Sequence, residues 1–140
     1  MPEAVIVATS RTPIGRANKG SLVDARPDDM TAFVLKDVLS KVPNLAPTLV
    51  EDVMLGCGQP AGEAGYNLAR VAALMAGLDD VPGVTVKRYC SSSLQTIRMA
   101  AHAIRAGGTT LLDAQASRAI CATVEAALQS ARTGRPVDVG

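Results

Sequence analysis

Residues 81–95 read VPGVTVKRYCSSSLQ, a β-branched run that passes directly into a cysteine and three serines. The valines and threonine of this run are typical of a buried strand, which we expect over residues 81–88. Ser92 is followed three residues later by Gln95, the spacing of a capping box at a helix N-terminus. A helix is therefore predicted over about residues 93–106, where the following glycine pair ends it. The sequence thus predicts a strand, a cysteine and a helix in immediate succession.

On both sides of this junction the chain alternates strand and helix patterns. The predicted strands cover residues 4–8, 50–55 and 81–88, and the predicted helices cover residues 28–42, 68–75 (closed by Gly77) and 93–106. The run at residues 4–8 is short and continuously apolar, as expected for a strand buried on both faces. A β-α-β-α-β-α order predicts an α/β fold with a mostly parallel sheet and helices on both faces.

The third helix and the residues after it differ in pattern. Polar side chains occupy one narrow arc of the third helix, which predicts that most of this helix is buried; they are Gln95, Arg98, His102 and Arg105. Beyond it, one apolar stripe predicts a long amphipathic helix, formed by Leu112, Ala116, Ile120, Val124, Ala127, Leu128 and Ala131. We therefore divide the chain into a domain over residues 1–108 and a helical tail over residues 109–140, whose origin the sequence does not assign.

Composition narrows the classes of function. The chain is 48% hydrophobic but holds only one phenylalanine, two tyrosines and no tryptophan, so its core is expected to consist of aliphatic side chains. Its 14 basic residues nearly equal its 13 acidic ones, so the composition lacks the excess of positive charge expected of a protein that binds nucleic-acid phosphates. No apolar run approaches the ~20 residues that span a bilayer, and Glu3 without a following apolar h-region argues against a secretory signal. We expect a cytoplasmic protein without a membrane partner.

Cysteine and histidine counts bear on metal and disulfide sites. The three cysteines, Cys57, Cys90 and Cys121, are an odd number at wide spacing, and the chain has one histidine. A disulfide framework and a zinc site both need closer or more numerous ligands. No metal site is therefore predicted.

Cys90 is the candidate nucleophile. The free amides and positive dipole end of a helix N-terminus favour a thiolate, and Lys87 and Arg88 could add to this effect. The alternative is that Cys90 is a small core residue. A cysteine nucleophile also needs a base, but His102 lies twelve residues further along the predicted helix, a rise of ~18 Å. His102 is better explained as a polar-face residue, so the base must come from elsewhere.

Three other features have weaker chemical interpretations. Cys57, between two glycines, is either a second reactive thiol or, as we favour, a turn cysteine packed under a loop. Cys121 lies within the tail's apolar stripe and is expected to pack there. Residues 11–16 contain two arginines but no glycine-rich phosphate-binding pattern, so a structural loop is favoured over anion binding.

Several motifs follow one another at characteristic spacing over about residues 3–108. They are the strand at residues 4–8 followed by RTPIG at 11–15, EDV at 51–53 leading to GCG at 56–58, Asn67 with Ala69 and Arg70, and RYCSSSLQ at 88–95. In order and spacing they resemble the amino-terminal half of the thiolases, the acetyl-CoA acyltransferases. The CSSSL core also resembles the nucleophile turn of β-ketoacyl synthases, but RTPIG and the Arg-Tyr pair before the cysteine favour thiolases. Lys87 stands where the family usually has asparagine.

The resemblance implies an acyltransferase in which Cys90 accepts an acyl group from acyl-CoA as a thioester. A second acyl-CoA then attacks in a Claisen condensation, or, in reverse, free CoA cleaves a 3-ketoacyl-CoA. No bound cofactor is implied, and coenzyme A thioesters are the substrates. The resemblance also implies an incomplete site, because the family's activating histidine, second histidine and acid/base cysteine belong to later segments without a counterpart here.

Two functions therefore stay open. One is a thiolase-like acyltransferase that forms a homo-oligomer or associates with a chain supplying the missing half. The other is a non-catalytic α/β interaction module that binds another chain through its third strand or an exposed sheet edge.

Overall fold

The computed structural model describes residues 3–107, which form a two-stranded parallel sheet with helices on both faces. The helices are α1 (Pro27–Ser40), α2 (Leu68–Met75) and α3 (Ser92–Ala106), the strands are β1 (Val53–Gly56) and β2 (Gly83–Val86), and short 3₁₀ turns cover Pro47–Leu49, Gly62–Ala64 and Tyr89–Ser91. The α/β class and the order from α1 to α3 are as predicted. No helix among these residues has the length and apolar character needed to cross a membrane.

The two strands pair in parallel, with Val53 opposite Gly83 and Gly56 opposite Val86. The pairing continues for one residue past β1, where the Cys57 amide donates to the Val86 carbonyl at 3.0 Å. Parallel strands need a crossover connection, and α2 provides it. The predicted β-α-β unit is confirmed for this part of the chain.

The core lies between the sheet and the pair formed by α1 and α2. Its buried residues are aliphatic: Val53, Ala69, Ala73, Leu78 and Val81. Small alanines let α2 approach the strand closely, and the only phenylalanine, Phe33, is 58% exposed. A core without aromatic side chains, as the composition predicts, is confirmed for residues 3–107.

Asn67 and Arg70 fasten α2 to the strand that follows it. Asn67 has a left-handed φ of 55°, donates through Nδ2 to the Gly83 carbonyl at 2.8 Å and accepts at Oδ1 from Thr85 Oγ1 at 2.9 Å. The Arg70 guanidinium donates to the carbonyls of Val81 at 2.6 Å and Asp79 at 2.8 Å. The arginine thus satisfies loop carbonyls that no strand or helix pairs. The two motif residues therefore have a structural role here.

The predicted first strand is wrong for this structure. Residues 4–8 have no strand pairing, and Val5, Ile6 and Val7 are 65%, 77% and 76% exposed. A β-branched run becomes a strand only where a neighbour accepts and donates its ladder hydrogen bonds. The sheet within residues 3–107 consists of β1 and β2 alone, so the run lacks that neighbour.

The expectation of a mostly buried α3 is also wrong for the described residues. Only Ser92 and Thr96 are buried, on the side facing the strands, whereas Leu94, Ile97 and Ile104 are exposed. Apolar residues around a helix are buried only where another element covers each side, and α3 contacts the strands from one side. Gly77 and Gly107 take left-handed φ values of 85° and 68° just past their helices, as predicted. The predicted tail helix and Cys121 lie outside the described residues.

Asp52 is a partly buried carboxylate directly before β1. Its Oδ1 is buried without a hydrogen-bond partner among residues 3–107, and it lines cavities of about 430 and 320 Å³ together with apolar side chains. Burial raises the pKa of Asp52 above its ordinary value of 3.8, against a smaller lowering by the Val53 amide. Folding therefore shifts this carboxyl toward its protonated form, relative to the unfolded chain.

This pKa shift predicts that Asp52→Asn stabilises the fold, and that the stabilisation depends on pH. Because folding raises the pKa of Asp52, its carboxylate lowers the free energy of unfolding once the pH exceeds the pKa that Asp52 has in the unfolded chain. Below that pH the carboxyl is protonated in both states, and the destabilisation is absent. We expect the substitution to raise the thermal midpoint at about pH 7 and to leave it unchanged at about pH 3. The control is Glu51→Gln at the adjacent exposed carboxylate. An equal gain from Asp52→Asn at both pH values would contradict the explanation.

Candidate active site

Cys90 lies where the sheet passes into α3. β2 ends at Val86, the 3₁₀ turn Tyr89–Ser91 follows, and α3 begins at Ser92. The Cys90 side chain is exposed and its thiol is free. Among residues 3–107 no side chain caps the N-terminus of α3, so no side-chain acceptor neutralises the positive end of the helix dipole beside Cys90. The predicted succession of strand, cysteine and helix is confirmed, and the alternative of a buried core cysteine is wrong.

The predicted capping box does not form. Ser92 is the first residue of α3 rather than its cap, and its hydroxyl accepts from the Arg88 amide at 2.8 Å and donates to the Tyr89 carbonyl at 2.7 Å. Gln95 Oε1 instead accepts from Arg88 Nη1 at 2.7 Å. The inserted 3₁₀ turn is the physical reason, because it moves the helix start one residue earlier and turns the Ser92 hydroxyl back toward the turn.

Tyr89 shows that this turn is constrained. Its φ of 48° is left-handed, a conformation uncommon for a residue with a bulky side chain. Such backbone costs about 1–2 kcal/mol and persists where surrounding contacts hold it. Lys87 Nζ stands 4.7 Å from the centre of the Tyr89 ring. The two basic residues before Cys90 therefore contact Tyr89 and Gln95 in this structure.

The glycine turn after β1 packs against the same segment. A β-carbon built on Gly56 would lie 2.5 Å from the Ser92 carbonyl carbon and nearer still to the Ser93 amide nitrogen. One built on Gly58 would lie 3.2 Å from the Tyr89 carbonyl oxygen. Glycine at both positions lets the turn approach the backbone of the cysteine segment. Cys57 between them is partly buried, as expected for a packed turn cysteine.

The remaining sequence candidates lie away from Cys90 or act structurally. His102 is exposed on the same side of α3 as Arg98 and Arg105, in keeping with a polar-face residue. Arg11 bonds the adjacent Thr12 carbonyl at 3.4 Å. Within residues 3–107, no group of three or more histidine, cysteine, aspartate or glutamate side chains is placed to hold a metal ion.

Near the Arg11 segment, Asp37 accepts hydrogen bonds from Ser10 and from Lys41, whose Nζ lies 2.7 Å from Asp37 Oδ2. These contacts lower the pKa of Asp37, the bond from Lys41 having the larger effect. The arrangement ties the loop before α1 to that helix, which fits a structural loop.

Sequence reasoning missed two contributors to this geometry. Ser92 was expected to cap α3, and the close approach of Gly56 to that helix was not expected at all. The run of three serines gave no signal as to which hydroxyl points inward. The glycines on either side of Cys57 did give a signal, since paired glycines mark close backbone approach as well as turns.

The sequence is similar to a known family and to characterised proteins over most of its length. Residues 4–112 match the family model described as thiolase, N-terminal domain. The chain is similar to the 3-ketoacyl-CoA thiolase of Bacillus subtilis, with 46% identity over 108 residues, covering 76% of this chain and 27% of that protein. It is also similar to the 3-ketoacyl-CoA thiolase of Aeromonas hydrophila, with 44% identity over 108 residues, covering 76% of this chain and 28% of that protein.

The chain thus spans little more than a quarter of the length of these relatives. The matched region nevertheless includes β1, β2, all three helices and the Cys90 turn. A family model that covers residues 4–112 of 140 accounts for most of the sequence. This chain belongs to the thiolase family.

Proposed function

We propose that this chain takes part in acyl transfer on coenzyme A thioesters, with Cys90 as the nucleophile. The Cys90 thiolate attacks the carbonyl carbon of acyl-CoA, the bond from that carbon to the CoA sulfur breaks, and CoA leaves as the thiolate. The acyl group is then a thioester on Cys90. Attack on it by the α-carbanion of a second acyl-CoA forms a 3-ketoacyl-CoA and frees Cys90. In the reverse cleavage, the Cys90 thiolate attacks the 3-keto carbon of a 3-ketoacyl-CoA, the bond to the α-carbon breaks, and the released acyl-CoA carbanion is protonated. Free CoA then takes the acyl group from Cys90.

The observation that carries the proposal is the position of Cys90. Its free thiol is exposed at the N-terminus of α3, which no side chain caps among residues 3–107. Gly56 at the end of β1 and Gly58 just after it pack closely against the turn that carries Cys90. An exposed thiol can meet a large substrate, and a helix N-terminus stabilises negative charge on sulfur. The similarity to proteins named 3-ketoacyl-CoA thiolase supports the choice of substrate class.

The described residues do not provide the rest of the reaction. Acyl transfer needs a base, an oxyanion site and a second acid/base group for the condensing carbon. His102, the single histidine of the 140 residues, lies twelve residues from Cys90 along α3. We propose that a second copy or the later thiolase segments supply these groups, in the cytoplasm. Exposed Leu94, Ile97 and Ile104 give such a partner an apolar surface.

A labelling experiment tests the activated thiol. Iodoacetamide at about pH 7 should modify Cys90 roughly tenfold faster than Cys57 or Cys121, because Cys90 is exposed at a helix N-terminus, which favours a thiolate, whereas Cys57 is partly buried. Peptide mapping by mass spectrometry gives the three rates, and the same chain in denaturant is the control, where the rates should converge. Equal rates at all three cysteines in the folded chain would refute the activated thiol.

The second candidate is a non-catalytic interaction module. Its support is the exposed apolar run Val5 to Val7 together with the exposed face of α3. The two candidates differ in what Cys90 does. A module binds its partner equally well after Cys90→Ala and never carries an acyl group on that residue.

A further inference from the structure

The turn that carries Cys90 has an unusual conformation and one buried hydroxyl that spans it. Tyr89, directly before Cys90, has a left-handed φ of 48°. Non-glycine residues keep such backbone angles only where neighbouring contacts fix them. The contacts that fix the turn therefore also fix the direction in which the Cys90 thiol leaves the backbone.

Ser92 provides those contacts from the carboxyl side of the turn. Its residue exposure is 3%, and its hydroxyl accepts from the Arg88 amide at 2.8 Å while donating to the Tyr89 carbonyl at 2.7 Å. The hydroxyl thus joins the backbone before the turn to the backbone inside it. The Tyr89 carbonyl also accepts from the Ser92 amide, but the Arg88 amide has no other partner among residues 3–107, so removing the hydroxyl leaves this part-buried donor unsatisfied.

The neighbouring serines provide a comparison within the same sequence. Ser91 and Ser93 are exposed, and neither hydroxyl makes a hydrogen bond within residues 3–107. On the opposite side, the turn cannot relax toward β1, because Gly56 and Gly58 already approach Ser92 and Tyr89. Of the three consecutive serines, Ser92 alone is placed to hold the turn.

We propose that Ser92 is a positioning residue for Cys90, fixing the turn so that the thiol stays exposed at the N-terminus of α3. This inference rests on the proposed function, in which Cys90 is the nucleophile. Ser92 touches neither substrate nor the reacting atoms in this scheme. It acts on the chemistry through the backbone of Tyr89 and Cys90.

The test compares the iodoacetamide rate at Cys90 in the 140-residue chain and in Ser92→Ala, Ser92→Thr, Ser91→Ala and Ser93→Ala. We expect Ser92→Ala to lower the rate of Cys90 modification about tenfold, while the rate of Cys57 modification stays unchanged. Ser91→Ala and Ser93→Ala should match the unsubstituted chain, and Ser92→Thr, which keeps the hydroxyl, should recover most of the rate. An unchanged Cys90 rate in folded Ser92→Ala overturns the proposal.

Two further results distinguish failure of the proposed function from failure of the Ser92 proposal. If Cys90 reacts no faster than Cys57 in the unsubstituted chain, the proposed function fails, whatever the serine variants show. If Ser92→Ala does not fold, amide hydrogen exchange of the unsubstituted chain replaces it. Protection of the Arg88 amide, which lies outside every helix and strand, supports the role of Ser92, and exchange as fast as in an exposed loop overturns it.

Discussion

Replacing Gly56 with alanine is expected to destabilise the fold by about 3 kcal/mol or more, the upper end for overpacking a closely packed site. The added β-carbon would lie 2.5 Å from the Ser92 carbonyl carbon, and this atom belongs to backbone rather than to a flexible side chain. Either β1 or the start of α3 must move, and both hold the Cys90 turn. For a domain of this size the thermal midpoint should fall by about 12–24 °C.

The matched control is Gly58→Ala, two residues away in the same turn. Its β-carbon would lie 3.2 Å from the Tyr89 carbonyl oxygen, a distance that a small adjustment can relieve. We expect this variant to lose less than about 1 kcal/mol. Thermal unfolding followed by circular dichroism measures both, and equal losses at the two glycines would contradict the packing of β1 on α3 described above.

The largest effect on activity is expected without any substitution. The isolated 140-residue chain should show no thiolase turnover above background with acetoacetyl-CoA and CoA. A general base contributes about 10²–10⁴ in rate and an oxyanion donor about 10²–10³. The described residues place no histidine base at Cys90, so the missing base alone is expected to cost about 10²–10⁴ in rate.

Adding a chain that carries the later thiolase segments should restore turnover, and Cys90→Ala in the mixture should abolish it. The added chain alone is the control. Turnover near the ordinary enzyme value of about 10 s⁻¹ from the isolated chain, lost in Cys90→Ala, would show that this chain supplies its own base and oxyanion site. That outcome would overturn the need for a partner.

The sequence was sufficient where structure depends on neighbours along the chain. The run of β-branched residues before Cys90, the helical pattern after it and the glycine at 107 all act locally, and the observed β2 and α3 follow them. The composition also predicted an aliphatic core, because only small and branched side chains are available to build one. The division at residue 108 remains a prediction, and residues 109–140 lie outside the structure described.

The sequence was insufficient where the outcome depends on distant contacts. The run at residues 4–8 has strand propensity, but a ladder needs a partner strand, and its availability cannot be deduced from the run itself. The prediction that α3 is mostly buried was wrong for the same reason, because apolar positions around a helix do not show which neighbouring elements cover them. At the site, α3 starts one residue earlier than expected, so Ser92 does not cap it. Its hydroxyl instead hydrogen-bonds the Arg88 amide and the Tyr89 carbonyl across the turn.

Two aspartates have opposite pKa directions, one set by a neighbour along the chain and the other by tertiary burial. The pKa of Asp28 is lowered, chiefly by its hydrogen bond from Arg26, whose guanidinium lies 2.8 Å from the carboxylate. The pKa of Asp52 is raised by burial. Acidification therefore removes a favourable contribution at Asp28 and an unfavourable one at Asp52. Arg26 lies two residues before Asp28 in the sequence, whereas the burial of Asp52 depends on distant contacts that its local sequence does not predict.

The central claim is that Cys90 accepts an acyl group from an acyl-CoA, and acetylation by acetyl-CoA measures this most directly. The chain is incubated with acetyl-CoA, its intact mass is recorded over time, and the modified residue is mapped by peptide mass spectrometry. We predict slow addition of a single acetyl group at Cys90, released by hydroxylamine as expected for a thioester and absent in Cys90→Ala. Acetylation confined to lysines, or equal acetylation of Cys57 and Cys90, would contradict the claim.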